Sequence, residues 1–241
     1  MKISEVTFNY GIGKSPGLLV KVGTKGRVPH AKLHVNVPKK TALKLGIPHT
    51  HLKENIIESS GYSLEGSWTT DLVFSKLWAI NELEKILKNT AVPVVYVLGS
   101  WFGNMSILLA RSNLNINKII NVDTNQQWLA TSKQIISDMN IDRVQSMLKD
   151  ANKLNYQQLP GIVINTSTND IANRGWFDNI PQGTLVVVQG RNNVGSEAVA
   201  SFNSAQDLLA EYPLNTILYS GEMQLQDPET DYIRSMIIGI K

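Results

Sequence analysis

The chain has 241 residues, 42% of them hydrophobic, enough for a sizeable core in one large domain or one domain with a small appendage. It has no cysteine, which excludes disulfides, thiolate metal sites and cysteine nucleophiles. The net charge of +3 is unevenly spread: residues 1–60 carry ten Lys/Arg against three Asp/Glu, whereas the remainder carries 13 against 17. All four histidines (His30, His34, His49, His51) also fall in the first part. This shift in composition predicts a boundary near residue 60, between a small basic N-terminal unit (1–60) and a main domain (61–241). The opening MKISEVTFNYGIGK lacks an apolar signal core, and no apolar run approaches the roughly 20 residues of a membrane span. The expectation is a soluble, cytoplasmic protein with no membrane partner.

Residues 3–10, 17–23 and 31–37 read as short strands that partly alternate and are separated by glycine and proline turns. PKKTALKLGI predicts one or two helical turns ending at Gly46. Two or three strands are marginal alone in water, so this unit should pack on the main domain or on a second copy of itself, a route to a homo-oligomer. Its positive charge is either a solvated lysine-rich surface or a grip for a polyanion such as nucleic acid. The histidines have neither acidic nor thiol partners among them, so no metal site is assigned.

Residues 56–68 read as a loop. TTDLVFSKLWAINELEKILKN then spaces its apolar residues as a helix does, with Thr69 or Thr70 as N-cap and Pro93 as a stop. From there strands and helices alternate. Strands are predicted at 94–98, 118–122, 144–148, 161–165 and 183–189. Helices are predicted at 104–112, 125–139, 152–159 and 203–211, with a helix-like or loop segment before residue 180. Two closing strands, 216–224 and 232–240, frame the turn QDPETD and must run antiparallel to each other. The pattern predicts an α/β fold: a Rossmann-like, mostly parallel seven-stranded sheet with a C-terminal antiparallel hairpin, plus the small β-rich N-terminal unit.

In such a sheet, ligands bind outside the carboxyl ends of the strands. The first strand of the main domain runs into Gly99, Ser100, Trp101, Phe102 and Gly103, a glycine turn opening a helix. The second ends at Asp123, placed to accept both hydroxyls of a ribose. The third ends at Asp150, placed to accept from an adenine amino group. Either Asp can also serve as a helix N-cap. The conjunction, in this order, describes a site for an adenosine-containing ligand.

Residues 94–241 resemble the class I S-adenosylmethionine-dependent methyltransferases. VLGSWFG matches the family's first glycine motif, NVD at 121–123 its second, LKDA at 148–151 its third and INTS at 164–167 its fourth. The ending ILYSGEMQL…YIRSMIIGI resembles the hairpin that closes the family's sheet. The resemblance implies S-adenosyl-L-methionine as cofactor, held by Gly99, Ser100, Trp101, Gly103, Asp123, Asp150, Ala151 and Asn165. Gly99 and Gly103 would approach its methionine portion, Asp123 its ribose, and Asp150 with the Ala151 backbone its adenine. Asn165 and Thr166 would lie near the reactive methyl. With Asp170 they are the catalytic candidates.

Two departures stand out: Trp101 replaces the usual middle glycine, and Val97 and Leu98 stand where an acidic residue usually precedes the first glycine. A nicotinamide dehydrogenase also needs a glycine turn and a distant acidic residue, but Trp101 breaks its G-x-G-x-x-G order.

Without cysteine, cytosine C5 methylation is excluded. Asn165-Thr166-Ser167-Thr168 keeps only the first residue of the D/N-P-P-Y/F motif of amino-methylating nucleic-acid enzymes. The expectation is O- or N-methyl transfer to a small-molecule acceptor. The alternatives are a nucleic-acid methyltransferase gripping RNA or DNA through residues 1–60, and a non-catalytic cofactor binder. Asp170, Arg174 and Trp176 are candidates to line a substrate pocket, unless 165–177 is a capped segment with Trp176 and Phe177 in the core. Arg191 faces either an anionic substrate or solvent.

Overall fold

Val92–Leu98 is apolar almost throughout because both of its faces are covered. Val95 and Val97 point into one hydrophobic cluster, while Val94, Tyr96 and Leu98 point into another on the opposite face. The computed structural model describes Val6–Thr7, Leu19–Val20, Ser67 and residues 70–156, 161–193, 198–226 and 230–241. Val6–Thr7 (β1) and Leu19–Val20 (β2) pair antiparallel, as two of the expected N-terminal strands. The expected strand at 31–37, the helical turns before Gly46, the histidines, the boundary near residue 60 and Thr69 lie outside the described residues.

The rest of the order is α1 (Thr70–Leu87), β3 (Val92–Leu98), α2 (Asn104–Arg111), β4 (Ile116–Asp123), α3 (Gln126–Asp138), β5 (Val144–Leu148), β6 (Ile162–Asn165), α4 (Gly175–Asp178), β7 (Leu185–Arg191), α5 (Ala205–Glu211), β8 (Thr216–Gln226) and β9 (Asp231–Ile240). Seven strands form one sheet in the order β5-β4-β3-β6-β7-β9-β8. β9 alone runs against its neighbours. This is the expected parallel sheet with its closing antiparallel hairpin.

Helices cover both faces. Trp78, Ile80 and Leu83 of α1 join Met105 and Leu109 of α2 over one side. Trp176 and Phe177 of α4 and Leu208 of α5 pack on the other. No helix among the described residues is long and apolar enough to cross a membrane.

Two expected elements are shorter than their patterns. The segment beginning at 152 is a single 3-10 turn, Ala151–Lys153, because Asp150 caps only one turn before Leu154 and Tyr156 drop into the core. The segment before residue 180 holds the one-turn helix α4.

The chain leaves β3 for β4 on one side and later enters β6 on the other. The order of winding therefore reverses between β3 and β6, and the crevice outside their carboxyl ends is where a ligand site forms in such sheets.

Candidate functional site

The loop from β3 to α2 is held in shape by its backbone. Gly99 (φ 58°), Trp101 (φ 50°) and Gly103 (φ 83°) are all left-handed. At Gly99 the reason is close approach: a Cβ there would lie 2.9 Å from Ser167 Cβ, and the Ser167 hydroxyl donates to the Gly99 carbonyl at 3.2 Å. The β3 and β6 tips are thereby tied together.

Trp101 takes a conformation that costs an ordinary residue roughly 1–2 kcal/mol. The Asp123 carboxylate holds it there. Asp123 Oδ2 accepts from the Trp101 N–H at 2.8 Å, and Oδ1 accepts from the Asn125 N–H at 2.9 Å. The indole rests against Phe102 and, edge-on, against Trp128 of α3, with ring centres 5.3 and 6.2 Å away. Burial pushes the Asp123 carboxyl up from its ordinary range, and the N–H groups of Asn125, Trp101 and Thr124 pull it back in part.

Beyond β6 the loop is stapled to the end of β7. Thr168 is fully buried and donates to the Gln189 carbonyl at 2.6 Å. The Asn169 amide donates to the Arg191 and Ala200 carbonyls and accepts from the Arg191 N–H. Thr168→Val should lower stability by about 1 kcal/mol by deleting this neutral bond. A drop in the urea midpoint at unchanged m-value would report it.

Among the described residues, a cavity of about 450 Å³ opens over these tips, in the size range of small-ligand sites. Of the sequence-derived cofactor residues, Gly99, Ser100, Trp101 and Asp123 line it together. Of the catalytic candidates, Thr166 and Asp170 line it.

Six other residues of the sequence reading do not line it. Gly103 packs against Ser132 and Asn121 behind the loop. Asn165 is fully buried, and its side chain accepts from the Ser167 N–H at 2.9 Å. Asp150 caps the 3-10 turn by accepting from the Asn152 N–H, and Ala151 is part of the core. Trp176 is core as well, and Arg174 turns to Asp178 and the Glu211 carbonyl, so neither lines the cavity.

Sequence reasoning missed several lining residues, among them Leu72 and Lys76 of α1, Trp128 of α3 and Arg234 of β9. Periodicity assigns α1 and β9 as core elements, and nothing in their sequence marks which turn faces a ligand. Asp170 stands at the open edge of the cavity. The surrounding protein pushes its carboxyl up, against the pull of Arg191 and Arg234. No cluster of metal-ligating side chains occurs among the described residues.

No protein-family model matches the chain, and no curated protein matches it in sequence. Solved structures do match. The YcgJ protein from Bacillus subtilis is 11% identical with a TM-score of 0.54, covering 68% of this chain and 98% of its own. The N-methyltransferase NodS from Bradyrhizobium japonicum WM9 is 15% identical with a TM-score of 0.52, covering 72% of this chain and all of its own. NodS in complex with S-adenosyl-L-homocysteine is 12% identical at a TM-score of 0.51, covering 69% of this chain and 87% of its own. At these identities the likeness is one of fold: the main part of this chain has the Rossmann-like fold of the class I methyltransferases.

Proposed function

We propose that the protein transfers a methyl group from S-adenosyl-L-methionine to an oxygen or nitrogen of a small-molecule acceptor. The observation that carries this reading is Asp123. It reaches the cavity from the tip of β4 while holding the left-handed glycine loop beside it. Oδ2 accepts from the Trp101 N–H and Oδ1 from the Asn125 N–H, and the carboxylate's remaining lone pairs suit a pair of ribose hydroxyls.

One further atom favours a polar ligand: Ser100, which lines the cavity, has its Oγ buried without a hydrogen-bond partner. NodS, which shares the fold, was crystallised with S-adenosyl-L-homocysteine, and this supports the same cofactor here.

The Gly99–Trp101 backbone would face the methionine portion. Asp150 and the Ala151 backbone, next along the sheet at the tip of β5, remain the candidates for adenine. A bound sulfonium supplies a methyl that is already activated, so the chain's task is positioning and the handling of one proton. Thr166 and Asp170 line the cavity and are the candidates for the acceptor side. Asp170, at the open edge with its carboxyl pushed up, suits receipt of the acceptor's proton and its release to solvent. Asn165 would act through Ser167, as a positioning residue for the β6 tip.

A thermal-shift comparison tests the class. S-adenosylmethionine and S-adenosylhomocysteine should each raise the melting temperature by mass action, and NAD should not. A shift with NAD alone would replace this reading with that of a dehydrogenase.

A further inference from the structure

The far wall of the cavity carries three cations from three elements. Lys76 comes from α1, Arg191 from the end of β7 and Arg234 from β9. Arg191 and Arg234 are directly opposite in the antiparallel register, where like charges repel. Lys76 and Arg234 are only 7% and 4% exposed. Such burial is costly for a charge without a partner.

Yet the partners are sparse. Lys76 Nζ has a single 3.5 Å contact, to the Leu72 carbonyl of its own helix. Arg234 donates one nitrogen to the Thr166 carbonyl at 2.6 Å, and its Nε, buried, has no partner. The ion pairs between described residues lie elsewhere, at Lys85–Glu82, Lys153–Asp150 and Arg174–Asp178. Of the nearby carboxylates, Asp71 accepts from the buried Tyr232 hydroxyl at 2.7 Å and does not line the cavity. Asp170 does. Three cationic side chains therefore share a cavity with two carboxylates, of which Asp123 is already held by its own loop. Burial, with Arg234 adding to it and Asp71 opposing, pushes Lys76 down to about 7.

We infer that Lys76, Arg191 and Arg234 form an anion-binding subsite, and that the methyl acceptor is a small molecule bearing a carboxylate or phosphate. The inference rests on the methyltransferase reading for the word acceptor, but not for the subsite itself. A guanidinium with its Nε open takes such an anion in a forked, charge-assisted geometry. The depth of Arg234 and Lys76 favours a small molecule over a nucleic-acid backbone, which meets cations at the surface. The position favours the acceptor over the cofactor's own carboxylate. β7 lies two strands from β3, roughly 10 Å across the sheet, on the far side of β6 from the glycine loop.

Calorimetry on the full chain tests this with benzoate and inorganic phosphate, each titrated into the S-adenosylhomocysteine complex. At least one should bind. Arg234→Gln should weaken it about tenfold or more while S-adenosylhomocysteine affinity stays within about twofold. Arg191→Gln, at a less buried position, gives the same test should Arg234→Gln fail to fold.

Among the described residues, the charged and titratable groups around Lys76 are Asp71 on its own helix, Tyr232 and Arg234 on β9, Arg191 on β7 and Asp170. Benzoate keeps its charge across the range, so its affinity should fall as pH rises above about 7 and Lys76 loses its proton.

Failure of both anions to bind, or no loss in either variant, would overturn the subsite. Loss of S-adenosylhomocysteine affinity with 5′-methylthioadenosine affinity unchanged would overturn it too, by assigning the cations to the cofactor's carboxylate. If S-adenosylhomocysteine does not bind the wild-type chain, the methyltransferase reading falls alone. The same anion titrations on the free protein then still decide the subsite.

Discussion

Asp123→Ala is expected to weaken S-adenosylhomocysteine binding by about 3 kcal/mol, more than a hundredfold in Kd by calorimetry. Two losses combine. The carboxylate would no longer accept from the ribose, and the Trp101 and Asn125 N–H groups would lose the acceptor that holds them. The second loss matters because Trp101, unlike a glycine, does not adopt its left-handed backbone freely. Asp123→Asn keeps one acceptor oxygen for two backbone donors and should fall between wild type and alanine.

The pH dependence has a definite sign. The folded carboxyl titrates above its ordinary value, so the ligand-competent anion is lost as pH falls through that raised value. Affinity should therefore decline on acidification earlier than for an exposed aspartate. Unchanged affinity in the alanine variant would remove the ribose assignment and leave Asp123 as a loop anchor alone.

Gly103→Val should cost about 3–5 kcal/mol of stability, from a left-handed backbone that branched residues resist and from overpacking. Gly103 has φ 83°, and an added Cβ would sit 2.2 Å from Ser132 Oγ and 3.1 Å from Asn121 Nδ2. Those atoms belong to a buried polar chain in which Ser106 donates to Asn121 and Asn121 donates to Ser132 at 3.1 Å. There is nowhere for them to retreat without breaking that chain.

Gly183 is the control. Its φ is 84°, nearly the same, but a Cβ there would meet nothing within 4 Å. Gly183→Val carries the conformational cost without the clash. Chemical denaturation of both variants should separate them by about 2 kcal/mol. Equal losses would mean that the glycine motif is required for its backbone angle only, and that its packing on α3 is incidental.

How far the site was legible depends on what each residue does. Gly99 and Asp123 stand out because strand ends are where an apolar run stops, and both do reach the cavity. Gly103 belongs to the same motif, yet the structure uses it for packing. Asp150 and Ala151 are strand-end residues by the same logic; they lie outside the cavity, where Asp150 also caps a turn and Ala151 also packs in the core. Trp176 shows the converse: its polar setting at 165–177 allowed a pocket or a core position, and the surrounding Phe177 and Tyr212 rings make it core.

The sequence by itself determined the order of strands and helices, the doubly covered parallel sheet and the closing hairpin. Those follow from local periodicity, which is carried by the strands and by the longer helices between them. Only the tertiary structure decided the charge of the cavity. Lys76, Arg191 and Arg234 are 115 and 43 residues apart along the chain, and meet because α1 lies over the sheet while β9 folds back antiparallel beside β7. Hydrophobic periodicity says which face of an element is buried. It does not say which buried cation lacks a partner, because that depends on what the distant segments bring alongside.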